Sequence, residues 1–432
     1  MAAERAKIDV PDENAAPGVA IQVVTSFFPN SARPRRTLFV KNLVLAMRRL
    51  CRVEVRVIAP VPWAPPGWRR GRWAGVGRVP REETIDGIAV QHPRFVAPPR
   101  LGVLHGLGFG LGVLRSMRRA AREAPGLVVH VHCAFPDGVG VALAAKALGL
   151  RYVITAHGSD VNVHAARGPL RVQIAWALRH ALGVIAVSRA LRDQIVGLVP
   201  EIAERTAVIP CAGFDPSVFA PRSQADCRAD LGLAPGGRIV LFVGNLVPVK
   251  GVDLLLRAWA RLRARRDPRA AATTLLLVGD GPLRAELERS AQALGIAPEV
   301  RFVGSVPQSQ VASWIGAADV LCLPSRSEGM PNVVVESLAS AVPVVATAVG
   351  GVPEVIVDGE NGYLEPTGEP DAMAHALERA LSTTWDRARI VRTVEAMTWT
   401  SLAQKNVTFI SEVIKETIPC HPTASTYMPP SA

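Results

Sequence analysis

The chain has 432 residues, 49% hydrophobic and 20% charged, which suffices for two or three buried cores and excludes disorder as a whole. Its most apolar run, residues 101–114, is short, glycine-rich and interrupted by His105, which excludes a multi-span membrane protein. The net charge of +12 is lopsided: residues 1–210 hold 29 Lys and Arg against 14 Asp and Glu, and residues 211–432 hold 20 against 23.

Residues 1–18 read as a flexible tail, with Glu4, Asp9, Asp12 and Glu13 and none of the apolar core that a secretion signal needs. Residues 19–26 form a continuous apolar run expected to be a buried strand, followed by a helical pattern over 37–50 and a second strand over 53–59. Residues 60–81 are irregular, rich in Pro, Gly and Arg, and carry Trp63, Trp68 and Trp73. Short strands are expected at 127–131, 152–155 and 183–186, with helical segments between them.

The second half repeats the rhythm. Strands are expected at 239–243, 274–278, 300–303, 320–323 and 342–346, with helices from about 251, 283, 308 and 332. Strands alternating with helices and buried on both faces mean parallel sheets covered by helices. The expected architecture is α/β: two doubly wound, Rossmann-like domains (19–210 and 211–395) facing a cleft. A helical segment over 385–415 follows, of which 396–418 returns to the first domain, and 419–432 is a disordered tail rich in Pro, Ser and Thr. The six cysteines are scattered without a C-x-x-C pair, the pattern of a reducing cytoplasm and not of a zinc or disulfide scaffold.

Three segments carry chemistry. In Ser327-Glu328-Gly329-Met330-Pro331-Asn332-Val333-Val334-Val335-Glu336, two glutamates flank a turn and a helix start. Pro331 presets the first turn, and the free amides there attract phosphate. Glu328 can accept hydrogen bonds from sugar hydroxyls, and Glu336 from a second polyol such as ribose. A capping acid plus a surface glutamate is the plainer reading, and the strand–turn–helix context weighs against it. In Val243-Gly244-Asn245-Leu246-Val247-Pro248-Val249-Lys250-Gly251, a lysine at a helix start can neutralise a diphosphate leaving group. In Thr155-Ala156-His157-Gly158-Ser159-Asp160, a histidine after a strand can meet a ligand held by the other domain. No Asp-x-Asp and no Walker A motif occurs, so no metal clamp for a sugar diphosphate is expected. Gly279-Asp280-Gly281 follows a strand, but Arg284 occupies the third glycine's place of a dinucleotide fingerprint, and the glycines at 106–112 also lack its spacing.

The glutamate pair, with Pro343-Val344-Val345-Ala346-Thr347, Gly350-Gly351-Val352-Pro353-Glu354, His157-Gly158-Ser159-Asp160, Ala186-Val187-Ser188, Ile209-Pro210-Cys211-Ala212-Gly213-Phe214-Asp215 and Gly304, resembles the retaining glycosyltransferases of family four, which have the GT-B fold. The likeness spans residues 19–415. It implies a cytoplasmic, metal-independent hexosyltransferase without cofactor, whose partners are a nucleoside-diphosphate sugar donor and a lipid-linked glycan acceptor in polysaccharide biosynthesis. It implies that Glu336 holds the ribose and Lys250 the diphosphate. Val303 and Gly304 line the base. Glu328 and the backbone of Gly329, Met330, Pro331 and Asn332 hold the sugar, and His157 approaches the anomeric region.

The chain departs from the family pattern in three places. Asn245 stands where an arginine is usual, so one diphosphate cation is missing or is supplied by another residue. Arg33, Arg35 and Arg36 occupy a first loop that lacks a glycine pair. Ala341 replaces a common glycine and is expected to be a packing change. The Asn245 variant resembles a teichuronic-acid-type subgroup. The basic first domain, with Arg33, Arg35, Arg36, Arg118 and Arg119, is expected to meet the acceptor or an anionic membrane surface and no nucleic acid. Two rival readings use the same fold: a non-catalytic sugar-nucleotide-binding or scaffold protein, and a phosphorylase with pyridoxal phosphate on a lysine, for which the second half offers only Lys250, Lys405 and Lys415.

Overall fold

The computed structural model describes residues 20–34, 37–50, 54–64, 75–265 and 273–416. In chain order the first half contributes strands β1 (Ile21–Val24), β2 (Val55–Ile58), β3 (Val61–Pro62), β4 (Glu82–Ile85), β5 (Ile88–Gln91), β6 (Arg94–Phe95), β7 (Val128–His132), β8 (Arg151–Ala156), β9 (Gly183–Ala186) and β10 (Thr206–Val208). Eight of them form one sheet in the order β10-β9-β8-β7-β1-β2-β5-β4, parallel except for the β4/β5 hairpin, while β3 and β6 pair separately. The hairpin was not expected from the apolar pattern. Its signal is Asp86-Gly87, whose positive φ values of 48° and 77° suit a tight primed turn.

The second half contributes β11 (Arg238–Val243), β12 (Thr273–Val278), β13 (Val300–Gly304), β14 (Val320–Leu323), β15 (Val344–Thr347) and β16 (Gly362–Glu365), all parallel in the order β13-β12-β11-β14-β15-β16. The central strands β11, β12, β14 and β15 are mostly apolar and buried on both faces, because helices cover each side. The strand order reverses between β1 and β7 in one sheet and between β11 and β14 in the other. Loops diverge to opposite faces at such a reversal and leave a crevice at the carboxyl ends. The chain is therefore two Rossmann-like domains with two crevices, and these face each other across the cleft.

The expected continuous helix over 385–415 is broken. The segment instead forms helices Arg387–Arg392 and Trp399–Glu416, with a short turn at Glu395–Met397 between them. The break lies where the chain crosses between domains. Thr398 is extended and bridges Phe214, with Phe214 N–H donating to the Met397 carbonyl (3.2 Å) and Trp399 N–H to the Phe214 carbonyl (3.1 Å). The final helix then packs Leu402, Ile410 and Val413 with Val40, Val44 and Met47 of the first domain.

Ala341 corrects an expectation. The helix Asn332–Ala339 ends in a Schellman motif: Val342 N–H donates to the Ser337 carbonyl and Ala341 N–H to the Leu338 carbonyl, each at 3.0 Å. Ala341 is the left-handed residue of that motif, with φ 60°. Its departure from glycine is a backbone strain and not a packing change. Ala341→Gly is expected to raise stability by about 1 kcal/mol, the approximate cost of a left-handed alanine less the lost burial of one methyl. Thermal or urea denaturation of the two proteins checks this.

Candidate active site

The second-domain crevice brings Lys250 and Glu328 together. After β11 the chain turns through Asn245 and a short turn, Pro248–Lys250, then reaches Gly251 at φ 64° before the helix Val252–Ala264. A side chain at Gly251 would strike the Pro324 carbonyl, so the loops after β11 and β14 touch through backbone. Lys250 Nζ consequently lies 2.6 Å from Glu328 Oε1, to which Ser325 Oγ also donates at 2.6 Å. Thr347 Oγ1 in turn donates to the Ser325 carbonyl. Arg326 locks the two loops, donating to the Pro248 carbonyl and to Asp253, each at 2.7 Å.

The turn carrying Glu328 and Gly329 is clamped on both sides. A Cβ at Gly329 would run into the His157 carbonyl of the first domain, and one at Gly350 into the Glu328 carbonyl. Gly351 N–H donates to the Gly329 carbonyl at 2.7 Å. Pro331 is extended (φ −80°, ψ 121°) ahead of the helix Asn332–Ala339, and no side chain caps that helix. Met330 is buried, and the buried Asn332 Oδ1 has no hydrogen-bond partner among the described residues. Glu336 is 7% exposed, and its carboxyl accepts no hydrogen bond from a described residue. Burial pushes its pKa up to about 8. Beside the turn, Gly158, Asn162, Ser327, Glu328 and Gly350 line a cavity of about 250 Å³.

His157 enters this site through its main chain. Its carbonyl abuts Gly329, while its ring turns back into the first domain, with Nε2 3.2 Å from His132 Nδ1 and the ring centroid 5.0 Å from that of Phe39. Asp160 fixes the loop: its carboxylate accepts from His157 N (3.0 Å), Gly158 N (2.8 Å) and Ala134 N (2.6 Å). Burial lowers the His157 pKa to about 4 against the opposing pull of Asp160, so the ring is neutral at pH 7. Burial likewise holds His130 at about 3 and His132 well below the usual range. At the first-domain crevice, Asp137 accepts from Ser26 N (2.5 Å) and Ser26 Oγ (3.0 Å).

Other expected site residues are dispersed. Asn245 is exposed at the end of β11 and makes no side-chain hydrogen bond with a described residue. Val303 and Gly304 end β13, with the Gly304 carbonyl accepting from Gly279 N at 2.8 Å and Arg284 stacked 6.0 Å over Phe302. Arg33 is half-buried, and Arg35 and Arg36 lie outside the described residues, as do Trp68 and Trp73. Arg118 and Arg119 are exposed near the end of the helix His105–Glu123. Arg119 pairs with Glu123 at 2.7 Å and, with Arg56 and Glu54, lines a separate cavity of about 880 Å³. Sequence reasoning gave no role to Ser325, Arg326, Asp160 or His132. Asp160 and Arg326 stand inside quoted or adjoining motifs, and His130-Val131-His132 is a visible pair on one face of a strand.

Comparison with known proteins agrees with this geometry. A family model described as "Glycosyltransferase Family 4" matches residues 37–212, and one described as "Glycosyl transferases group 1" matches residues 223–397. A teichuronic acid biosynthesis glycosyltransferase of Bacillus subtilis, TuaC, is 31% identical over 82% of this chain and 87% of its own length. A D-inositol 3-phosphate glycosyltransferase of Frankia alni is 35% identical over 63% of this chain and 70% of its own. In fold, the chain is similar to a sucrose-phosphate synthase of Thermosynechococcus elongatus (TM-score 0.72, 21% identity, covering 92% of this chain and all of that one). It is also similar to Anabaena HepE in complex with UDP (TM-score 0.68, 22% identity, covering 91% of this chain and all of that one). With GT-B architecture, both family models and a relative matched across most of its length, the chain belongs to the family 4, group 1 glycosyltransferases.

Proposed function

We propose that the enzyme transfers a hexose, with retention and without a metal, from a nucleoside-diphosphate sugar to a hydroxyl of a lipid-linked glycan in polysaccharide biosynthesis, on the cytoplasmic side of a membrane. The observation that carries this reading is the Lys250–Glu328 pair at the second-domain crevice, beside an uncapped helix that bears Glu336. The HepE structures obtained with UDP and with UDP-glucose support a nucleotide sugar as donor.

In this reading Lys250 leaves Glu328 for the diphosphate, and the amides at the helix start share the leaving group's charge as the bond between C1 and the phosphate oxygen breaks. Glu328, released, accepts hydrogen bonds from sugar hydroxyls. Glu336 accepts from the ribose. The His157 carbonyl closes the sugar's other side, and the acceptor oxygen attacks the face that the diphosphate leaves, its proton passing to the departing phosphate oxygen. Asn245 supplies no charge in the usual arginine's place, so Lys250 bears more of the diphosphate.

Lys250→Ala and Glu336→Ala are each expected to weaken UDP or GDP binding by about ten- to a hundredfold, the loss of one charge-assisted hydrogen bond. Glu328→Ala is expected mainly to lower kcat. Isothermal titration and steady-state kinetics separate these effects, and unchanged nucleotide affinity in the first two variants would reject the assignment.

Donor turnover is expected to persist in excess EDTA, since no group of three His, Cys, Asp or Glu among the described residues could hold a metal. Strict dependence on Mn²⁺ or Mg²⁺ would overturn this part.

Glu336 binds ribose as an ionised acceptor, so nucleotide affinity is expected to rise with pH up to about 8 and then level off. The slope should vanish in Glu336→Gln. For the free protein the sign is opposite. A carboxyl with a raised pKa holds its proton in the folded state, so stability falls as pH rises from about 4.5 to about 8.

A further inference from the structure

The helix His105–Glu123 has glycines at 106, 108, 110 and 112, although glycine is a poor helix former. Each marks a close approach. A Cβ at Gly106 would lie 2.6 Å from Val139 Cγ1 and one at Gly110 2.8 Å from the Gly140 carbonyl oxygen, so that face is pressed onto the helix Val139–Leu148. A Cβ at Gly108 would strike the Val96 carbonyl, and one at Gly112 would lie 2.6 Å from Phe95 Cβ, so a second face is pressed onto β6. Two backbone grips leave a third stripe outside. It reads Leu104, Leu107, Leu111, then Arg115, Arg118 and Arg122, at spacings of three and four.

The first half of that stripe is an apolar ridge. Leu111 is 66% exposed and Leu107 49%. Val96 stands beside them on the gripped strand, and Trp63 joins through its N–H to the Phe95 carbonyl at 2.7 Å. Leu101 and Leu104 extend it towards the helix start. Single exposed leucines are ordinary, whereas a contiguous ridge marks an interaction surface.

Its surroundings are strongly basic. Residues 94–122 contain six arginines and no Asp or Glu, and residues 161–192 contain five and none. The second stretch adjoins the first, since Gln173 Nε2 donates to the Val103 carbonyl at 3.1 Å. Arg100, Arg115, Arg118, Arg122, Arg167 and Arg171 form no ion pair with a described residue. A second copy would set these arginines against each other, while an anionic bilayer offers phosphates around an apolar interior.

We propose that this ridge docks the enzyme on an anionic lipid bilayer, with the leucine half of the stripe dipping between headgroups and the arginine half holding their phosphates. The helix start that carries the ridge adjoins the loop that lines the cavity: His105 lies close enough to His164 to disfavour its protonation, and Asn162, two residues before His164, lines the cavity beside Glu328. This deepens the reading of a lipid-linked acceptor and rests on it for its purpose.

The test is co-sedimentation of the full chain with phosphatidylcholine vesicles, with and without phosphatidylglycerol, at low and high salt, alongside UDP titration and light scattering. Binding is expected only with phosphatidylglycerol and is lost in high salt. Leu107→Glu/Leu111→Glu should lower the partition at least tenfold, and Arg115→Glu/Arg122→Glu by about fivefold per charge removed, with UDP affinity and thermal midpoint unchanged. No wild-type binding to either vesicle overturns the proposal, as does wild-type binding by both paired variants. So does a dimer that the leucine variant dissolves, which would mean a second copy covers the ridge. UDP affinity reads the donor site separately, so loss of vesicle binding with intact UDP binding rejects the docking surface alone.

Discussion

At Gly329 one methyl group would collide with the His157 carbonyl, and the site's geometry follows from that contact. Two domains can share a wall this thin only where both surfaces are main chain, and the turn is held from behind by Gly350 and Gly351 in the same way. Nearby, Glu354 of the second domain accepts from Arg189 N (2.6 Å) and so caps the helix Arg189–Leu198 of the first. The Glu328–Gly329 turn is therefore shaped by both domains together. The position of this turn and the relative position of the domains become one variable.

Electrically, the cleft is quiet for the proposed diphosphate site. Lys250 is spent on Glu328, Glu336 is held protonated by burial, and the three neighbouring histidines are neutral. Arg326 is spent on Asp253 and a carbonyl. Such an arrangement avoids an unpaired buried charge. It also means that binding an anion involves exchanging partners, and the exchange draws on the same carboxylates that would contact the sugar.

Much of this was legible in the sequence because parallel strands buried on both faces leave a strong signature. The runs at 239–243, 274–278 and 320–323 become β11, β12 and β14, and the loops that follow the first and third meet in the crevice. What was not legible depended on contacts distant in sequence. The pairing of Lys250 with Glu328 rests on Gly251 meeting Pro324, which no local pattern encodes. The inward turn of His157 depends on His132, 25 residues earlier. Ala341 looked like packing because a positive φ is invisible until the helix end is drawn. In the sequence the glycines at 106–112 read as part of an apolar run and as a failed nucleotide motif, whereas in the fold they are contact points for a helix and a strand on opposite flanks.

The crossing at Phe214 and Thr398 has a consequence for how the chain is made. The helix Trp399–Glu416 supplies Leu402, Ile410 and Val413 to the core that surrounds β1, and Gly183 of β9 lies directly under Phe409 and Val413. The domain that leaves the ribosome first is thus the one completed last, after the entire second domain has been synthesised. Until then its sheet carries an uncovered apolar face, so the nascent first half is the stage most exposed to aggregation and to chaperones. The two halves are likewise not separable modules: an exchange of first domains between relatives carries its own closing helix only if the last segment of the gene travels with the first.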